Sequence, residues 1–326
     1  MNKRCGWLLL LVFLSLKSIA QQQDCKFMVV GYTRNNINLL EQVKHIKLKN
    51  ITHLNIAFVN PDSAGNFIAP IDLHKVVKLA HRKHVLVLLS FGGGSPPKYL
   101  PALLAADRQT KLIDALVKLA VDNNADGIDV DLEGHMINQD YESFVSGLSA
   151  SLKAHGKLMT AAIAGYYAER YTNKALARFD FVNIMSYDKT GPWNQAKPGQ
   201  HAPYDMAVQD IAYWTGRGIP KEKLNLGVPF YAYGFGQGAP ADMTYKDVVD
   251  QFPGAEDKDE VVLPAGGTMY YNGIPTIKAK TKLALDKAAG VMIWQLMQDA
   301  NGKKSLLRAI NKGIKNYKNA VGKKLD

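Results

Sequence analysis

The stretch Asp126-Gly-Ile-Asp129-Val-Asp131-Leu-Glu133-Gly134 alternates acidic and apolar residues with a period of two. In an extended strand, residues two apart share a face. Asp129, Asp131 and Glu133 therefore point one way, and Ile128, Val130 and Leu132 the other. Such a strand suits a closed barrel, where the apolar set packs against helices and the acids project inward near the C-terminal end. Three carboxylates inside a barrel are costly unless they are protonated, paired or bound to a metal, and folds tolerate that cost mainly at functional sites. A solvated acidic strand end would not need so strict an alternation with apolar residues.

Outward from this strand, short apolar runs rich in β-branched residues recur. They predict strands at 27–32, 53–60, 85–91, 127–133, 158–164, 181–187, 224–231 and 291–295. Helical periodicity is clearest at Leu112, Ile113, Leu116, Val117 and Ala120, and again at Tyr141, Phe144, Val145, Leu148 and Leu152. Strands alternating with helices imply a parallel sheet, and eight of them imply an α/β fold of the closed (β/α)8 TIM-barrel type. The chain of 326 residues is long enough for one such barrel. The one long interruption, 234–272, reads as a loop insertion between the seventh strand and its helix, with a short helix at 245–252. It is too small for a separate domain.

Residues 1–20 read as a cleaved signal peptide, and 21–326 as the catalytic barrel. Lys3 and Arg4 precede a short apolar run, and Ser18-Ile19-Ala20 supplies small residues for cleavage. The run is too short to span a membrane. Secretion, to the periplasm or outside the cell, is therefore expected, with no membrane attachment after cleavage. Cys5 leaves with the leader, so Cys25 remains without an internal disulfide partner. The net charge of +11 falls to +8 once Lys3, Arg4 and Lys17 are gone, and +7 of that lies between Lys303 and Asp326. Leu306, Leu307, Ile310 and Ile314 give that segment helical amphipathicity, so its charge reads as a solvated helix face. The nearly neutral body does not suit nucleic acid, which requires basic residues around a groove with stacking aromatics. A monomer is expected.

Adjacent acids of the row lie about 6–7 Å apart at Cα, from a rise of about 3.3 Å per residue. Like charges this close cannot all ionise easily, so the row should share protons. That suits Glu133, outermost, as a proton donor. Asp131 leaves the same strand on the same side, so it is badly placed as the opposed nucleophile of a conventional retaining glycosidase. Oxygen-rich clusters can hold Mg²⁺ or Ca²⁺, but His135 is the only nearby nitrogen ligand, so no metal and no cofactor are expected.

With these residues in place, the sequence resembles glycoside hydrolase family 18, the chitinases and endo-β-N-acetylglucosaminidases. Asp126-x-x-Asp129-x-Asp131-x-Glu133 is similar to the family's acidic signature. Ser90-Phe-Gly92-Gly93 resembles its Ser-x-Gly-Gly motif, and Met185-Ser-Tyr187-Asp188 its Met-x-Tyr-Asp motif. Gly227-Val-Pro229-Phe-Tyr231 and Gly290-Val-Met-Ile-Trp294 resemble its seventh and eighth strands. The resemblance covers residues 26–310. It implies substrate-assisted, retaining hydrolysis of β-1,4 bonds between N-acetylglucosamine units, in which the sugar's own 2-acetamido oxygen attacks the anomeric carbon. Glu133 would then be the acid and later the base, Asp131 would orient the acetamide, and Asp129 would share a proton with Asp131. Tyr187 would hydrogen-bond the acetamide oxygen. Asp126 would support the strand, and Asp188 the site network or its loop. Trp294 would floor the sugar site, with Tyr32 and Phe58 on its wall and Gly93 and Met185 beside them.

Three departures bear on this. Leu132 replaces the aromatic residue that many chitinases carry before the acid, and Gln295 stands where many members have glutamate. The insertion is shorter than the α+β insertion of processive chitinases, and no carbohydrate-binding module follows the barrel. Internal cutting of soluble or accessible chitin chains is therefore expected. The same residues would serve an endo-β-N-acetylglucosaminidase acting on N-glycan cores. A chitin-binding lectin usually loses the acid, and Glu133 is present.

Overall fold

A computed structural model describes residues 27–322. The leader at 1–20, the start of the segment read as the barrel, and Cys25 lie outside the described residues. Eight parallel strands close a barrel: β1 (Met28–Arg34), β2 (His53–Ala57), β3 (Leu86–Gly92), β4 (Gly127–Asp131), β5 (Leu158–Ile163), β6 (Phe181–Ile184), β7 (Leu224–Pro229) and β12 (Gly290–Trp294). The helices are α1 (Leu39–His45), α2 (Leu73–His81), α3 (Leu100–Leu103), α4 (Gln109–Asp122), α5 (Tyr141–Ala154), α6 (Asn173–Leu176), α7 (Tyr204–Gly216), α8 (Tyr245–Gln251), α9 (Ile274–Lys287) and α10 (Leu306–Gly322). Strands and helices alternate as the periodicities predict.

The alternation along β4 is real in space. Ile128, Val130 and Leu132 are buried in the apolar layer shared with Phe91, Leu116 and Phe144 of the surrounding strands and helices. The opposite face meets a polar barrel interior in which Asn55, Ser90, Asp129, Thr160, Asn183 and Asn225 are fully buried. Pairing with β3 ends at Asp131 opposite Gly92, and pairing with β5 ends at Val130. Leu132 and Glu133 therefore continue beyond the predicted strand's paired part, but Glu133 keeps extended backbone (φ −122°, ψ 160°). That preserves the alternation and carries its side chain to the barrel rim.

Two expectations change around the seventh strand. The run at 224–231 is not one strand: β7 ends at Pro229, and β8 (Tyr231–Phe235) belongs to a second sheet. At the break, Phe230 N–H donates to Trp294 O at 2.8 Å, while its own carbonyl accepts from Tyr245 N–H at 3.0 Å. Pro229 marks this turn, but the apolar and aromatic residues around it read as one strand. The insertion read as a loop from Gly234 therefore starts at Tyr231. It forms a four-stranded antiparallel sheet, β10 (Glu260–Val262), β11 (Thr268–Tyr270), β8 and β9 (Asp242–Thr244), with helix α8. Three of those strands are three residues long, too short for a period-two pattern to stand out.

Candidate active site

The site is built in layers up the barrel from Asp129. The parallel register places Ser90 and Thr160 beside Asp129. Ser90 Oγ donates to Asp129 Oδ2 at 2.8 Å and Thr160 Oγ1 to Oδ1 at 2.6 Å. Tyr32, across the barrel on β1, donates its hydroxyl to Oδ2 at 2.7 Å. Burial raises the pKa of Asp129, while these hydrogen bonds to the carboxylate pull it down. Tyr32 is held far above its ordinary value by burial and then by the Asp129 charge, so it stays a donor.

One layer higher, Asp131 is almost as buried, and its Oδ1 has no hydrogen-bond partner. Burial first, then the charges of Glu133 and Asp129, push its pKa well up. Glu133, at the rim, is pushed up to about 7 by burial and by the Asp188 charge. All three carboxyls of the row are thus pushed toward their protonated forms, and the outermost is half-protonated near neutrality.

The β3 end makes room for this row. Gly92 has φ +109°, and a β-carbon there would run into the Asp131 carbonyl. Gly93 has φ +91°, and its β-carbon would sit 2.6 Å from the Phe58 ring. Only glycine combines such backbone with such close approach.

A cavity of about 200 Å³ lies above the acids, lined by Tyr32, Phe58, Gly94, Asp131, Glu133, Ala162, Met185, Tyr187, Asp188, Met292 and Trp294. Phe58 stacks on Trp294, with centroids 5.7 Å apart and planes 26° apart, and Tyr32 leans on the same indole at 5.5 Å. These rings make one apolar wall. Tyr187 is buried, and its hydroxyl reaches only Met292 Sδ, at 3.8 Å. Burial and the nearby carboxylates, Asp188 foremost, hold it protonated, which leaves a hydrogen-bond donor available to a ligand. Asp188 has φ +63°, and Tyr231 donates to its Oδ1 at 2.5 Å.

Tyr32, Phe58, Asp131, Glu133, Met185, Tyr187, Asp188 and Trp294 thus meet at one cavity, with Asp129 directly below. Two sequence-predicted residues lie elsewhere. Gly93 backs Phe58 and donates its N–H to Asp131 O at 2.7 Å, while Gly94 is the glycine that lines the cavity. Asp126 sits at the other end of β4, accepting from Val87 N–H at 2.7 Å and lying 2.8 Å from His81 Nε2.

The sequence reading missed a wider cleft of about 1010 Å³ that shares Gly94, Glu133, Met185, Tyr187 and Asp188. It runs past Tyr166, Tyr167, Trp193, Asp210 and Tyr213, with Tyr166 and Trp193 largely exposed. The available signal was position, because Tyr166, Tyr167 and Trp193 follow the C-terminal ends of β5 and β6, the functional end of a TIM barrel. Among the described residues, no group of three His, Cys, Asp or Glu side chains could hold a metal ion. No helix among them is long and apolar enough to cross a membrane.

The family model of glycosyl hydrolases family 18 matches residues 28–299. The structure is similar to the family 18 chitinase ChiB from the chitin utilization locus of Flavobacterium johnsoniae, at 34% identity and a TM-score of 0.82, covering 88% of this chain and 94% of that one. It is also similar to a chitinase from Bacteroides thetaiotaomicron, at 29% identity and a TM-score of 0.78, covering 88% and 96%. An endochitinase of Brugia malayi is 29% identical over 210 residues, 57% of this chain. The match covers 41% of that longer relative, and 53% of a chitinase-like effector of Moniliophthora roreri.

Proposed function

The chain belongs to glycosyl hydrolases family 18, and on that premise we propose that it is a retaining chitinase, cleaving β-1,4 bonds of N-acetylglucosamine polymers by substrate assistance. The observation that carries this reading is that Asp131 and Glu133 line the cavity above Asp129, with the Tyr187 hydroxyl, whose contact is the weak acceptor Met292 Sδ, available for the acetamide in place of a carboxylate nucleophile. Asp188 also lines the cavity, but Tyr231 draws its carboxylate back.

In the proposed reaction, the Glu133 carboxyl gives its proton to the glycosidic oxygen as the C1–O bond breaks. The acetamide carbonyl oxygen bonds to C1 in its place, forming an oxazolinium ion. Tyr187 donates to that oxygen before attack and holds it near C1, and such positioning can supply several kcal/mol of the barrier. Asp131 accepts the acetamide N–H and balances the positive charge, and its unpartnered Oδ1 is suited to this. Asp129, fixed by four side chains including Asn183, takes up the shared proton. The Glu133 carboxylate then removes a proton from water as it attacks C1 from the face the leaving group vacated, so configuration is retained. Trp294, Tyr32 and Phe58 cover the apolar face of the sugar. The wider cleft past Trp193 takes the departing part of the chain. Export of the protein, expected from the reading of residues 1–20 as a signal peptide, would bring it to such polymers.

Mass spectrometry of products from N-acetyl-chitohexaose and from a high-mannose glycoprotein, run in parallel, tests the reading. Shorter β-anomeric chito-oligomers with an untouched glycoprotein are expected. A released glycan that leaves one N-acetylglucosamine on asparagine would replace it with an endo-β-N-acetylglucosaminidase. No product from either substrate, with sugar binding retained, would replace it with a lectin.

A further inference from the structure

Asp188 borders both clefts, and behind it lies a buried imidazole that the reaction above does not use. His201 Nδ1 is 3.5 Å from Asp188 Oδ1, the oxygen that also accepts from Tyr231. The His201 side chain is fully buried, and its ring nitrogens make only loose polar contacts, to the Asp188 carboxylate and to the Tyr231 backbone. Polar contacts this loose at such depth require an explanation. The ring is packed against Tyr231 and Tyr233, with both centroids 4.9 Å away, so it cannot swing out. The backbone holds it as well. Lys189 N–H donates to His201 O at 2.9 Å, closing the loop after β6, and Ala202 O accepts from Lys280 Nζ at 2.8 Å and Asn272 Nδ2 at 2.9 Å. The imidazole is thus fixed a fraction of an ångström short of a hydrogen bond to Asp188, a geometry that catalytic sites often tighten only when ligand is bound.

We propose that His201 is a positioning residue for hydrolysis: with its proton on Nδ1, it holds Asp188 from behind, so that the carboxylate stays at the cavity wall beside Glu133. This rests on the reading of Glu133 as the acid. The groups facing His201 are Asp188 after β6, Tyr231 and Tyr233 on β8, and Lys280 on α9. Burial lowers the His201 pKa, with Lys280 adding to this and Asp188 and the Tyr231 backbone opposing it, so the neutral ring is favoured at pH 7. A neutral donor fixes a carboxylate without cancelling its charge, whereas an arginine or lysine in its place would screen that charge from Glu133.

The test compares His201→Phe, which keeps the ring packing and removes the donor, with His201→Asn, which restores an N–H near the Nδ1 position. Two readouts are used: the alkaline limb of kcat/KM on N-acetyl-chitohexaose, and the ¹³C carboxyl titration of Glu133. In the Phe variant both should move down by about half a pH unit or more, with kcat affected more than KM, and the Asn variant should return both toward wild type. An unmoved Glu133 titration in the Phe variant overturns the proposal. So does an equal shift in both variants. If neither variant folds, ¹⁵N NMR of the wild-type histidine decides: a proton on Nδ1 is expected, and one on Nε2 overturns the proposal. A wild type that cleaves no substrate would sink the glycosidase reading instead, while the Glu133 titration and the tautomer would still judge His201.

Discussion

Asp126 and Asp131 bracket strand β4, five residues apart, and the fold treats them in opposite ways. Asp126 accepts a backbone N–H from the neighbouring strand and meets His81 at the bottom of the barrel. Asp131, at the top, is more deeply buried, has an oxygen with no partner, and faces two further acids. Both belong to the same acidic signature in the sequence. A carboxylate with its hydrogen bonds made is a structural part. One left short of partners among like charges carries a raised pKa and unspent hydrogen-bonding capacity, which a ligand can use.

Substitutions can break this contrast. Glu133→Gln should lower kcat on chito-oligomers by about a thousandfold with little change in KM. A loss below tenfold would remove Glu133 from the acid role. Asp131→Asn, which keeps the shape but not the charge, should cost roughly a hundredfold or more in kcat. Tyr187→Phe should cost about ten- to a hundredfold, again in kcat, and a pure KM effect would show that the hydroxyl binds without positioning.

The same contrast predicts stability. The Glu133 pKa rises from 4.5 to about 7 on folding, so its favourable contribution is complete below pH 4.5 and is lost as pH climbs through 7. Glu133→Gln has no such loss. It should match the wild type near pH 4 in chemical denaturation and be more stable by about 3 kcal/mol at pH 8. Asp126→Ala should do the reverse of a site mutation: it removes the acceptor of Val87 N–H, costs about 1–2 kcal/mol of stability, and leaves kcat within about twofold. A collapse of activity at full stability would place Asp126 in the site after all. Across these variants, the wild-type rate itself should fall on the alkaline side of pH 7 as Glu133 loses its proton.

The readable parts of the molecule were those governed by local geometry. The period-two pattern of β4, continued by extended backbone at Glu133, placed three acids on one face because extended chain alternates its side chains. Leu112 to Ala120 and Tyr141 to Leu152 showed their helices through the 3.6-residue repeat, and both lie inside α4 and α5. The turn at Phe230 had one local signal, Pro229, which ends β7; the apolar and aromatic residues on both sides outweighed it in the reading of one strand. Gly93 and Gly94 could not be told apart in role, since which of them faces the cavity depends on where Phe58 lies.

Residue types and their periodicity were thus enough for the barrel and the acid row, while the identity of most other residues that line the cavity came from the resemblance to family 18 motifs. Tertiary structure decided what those residues are to one another. Tyr32 reaches Asp129 across 97 residues of chain, and Tyr231 grips Asp188 across 43. Neither pairing has a local signal, because each exists only once the sheet closes. Burial, which raises Glu133 to about 7 and sets the His201 ring behind Asp188, is likewise a property of the closed barrel, set by what packs around each group and not by its neighbours in sequence.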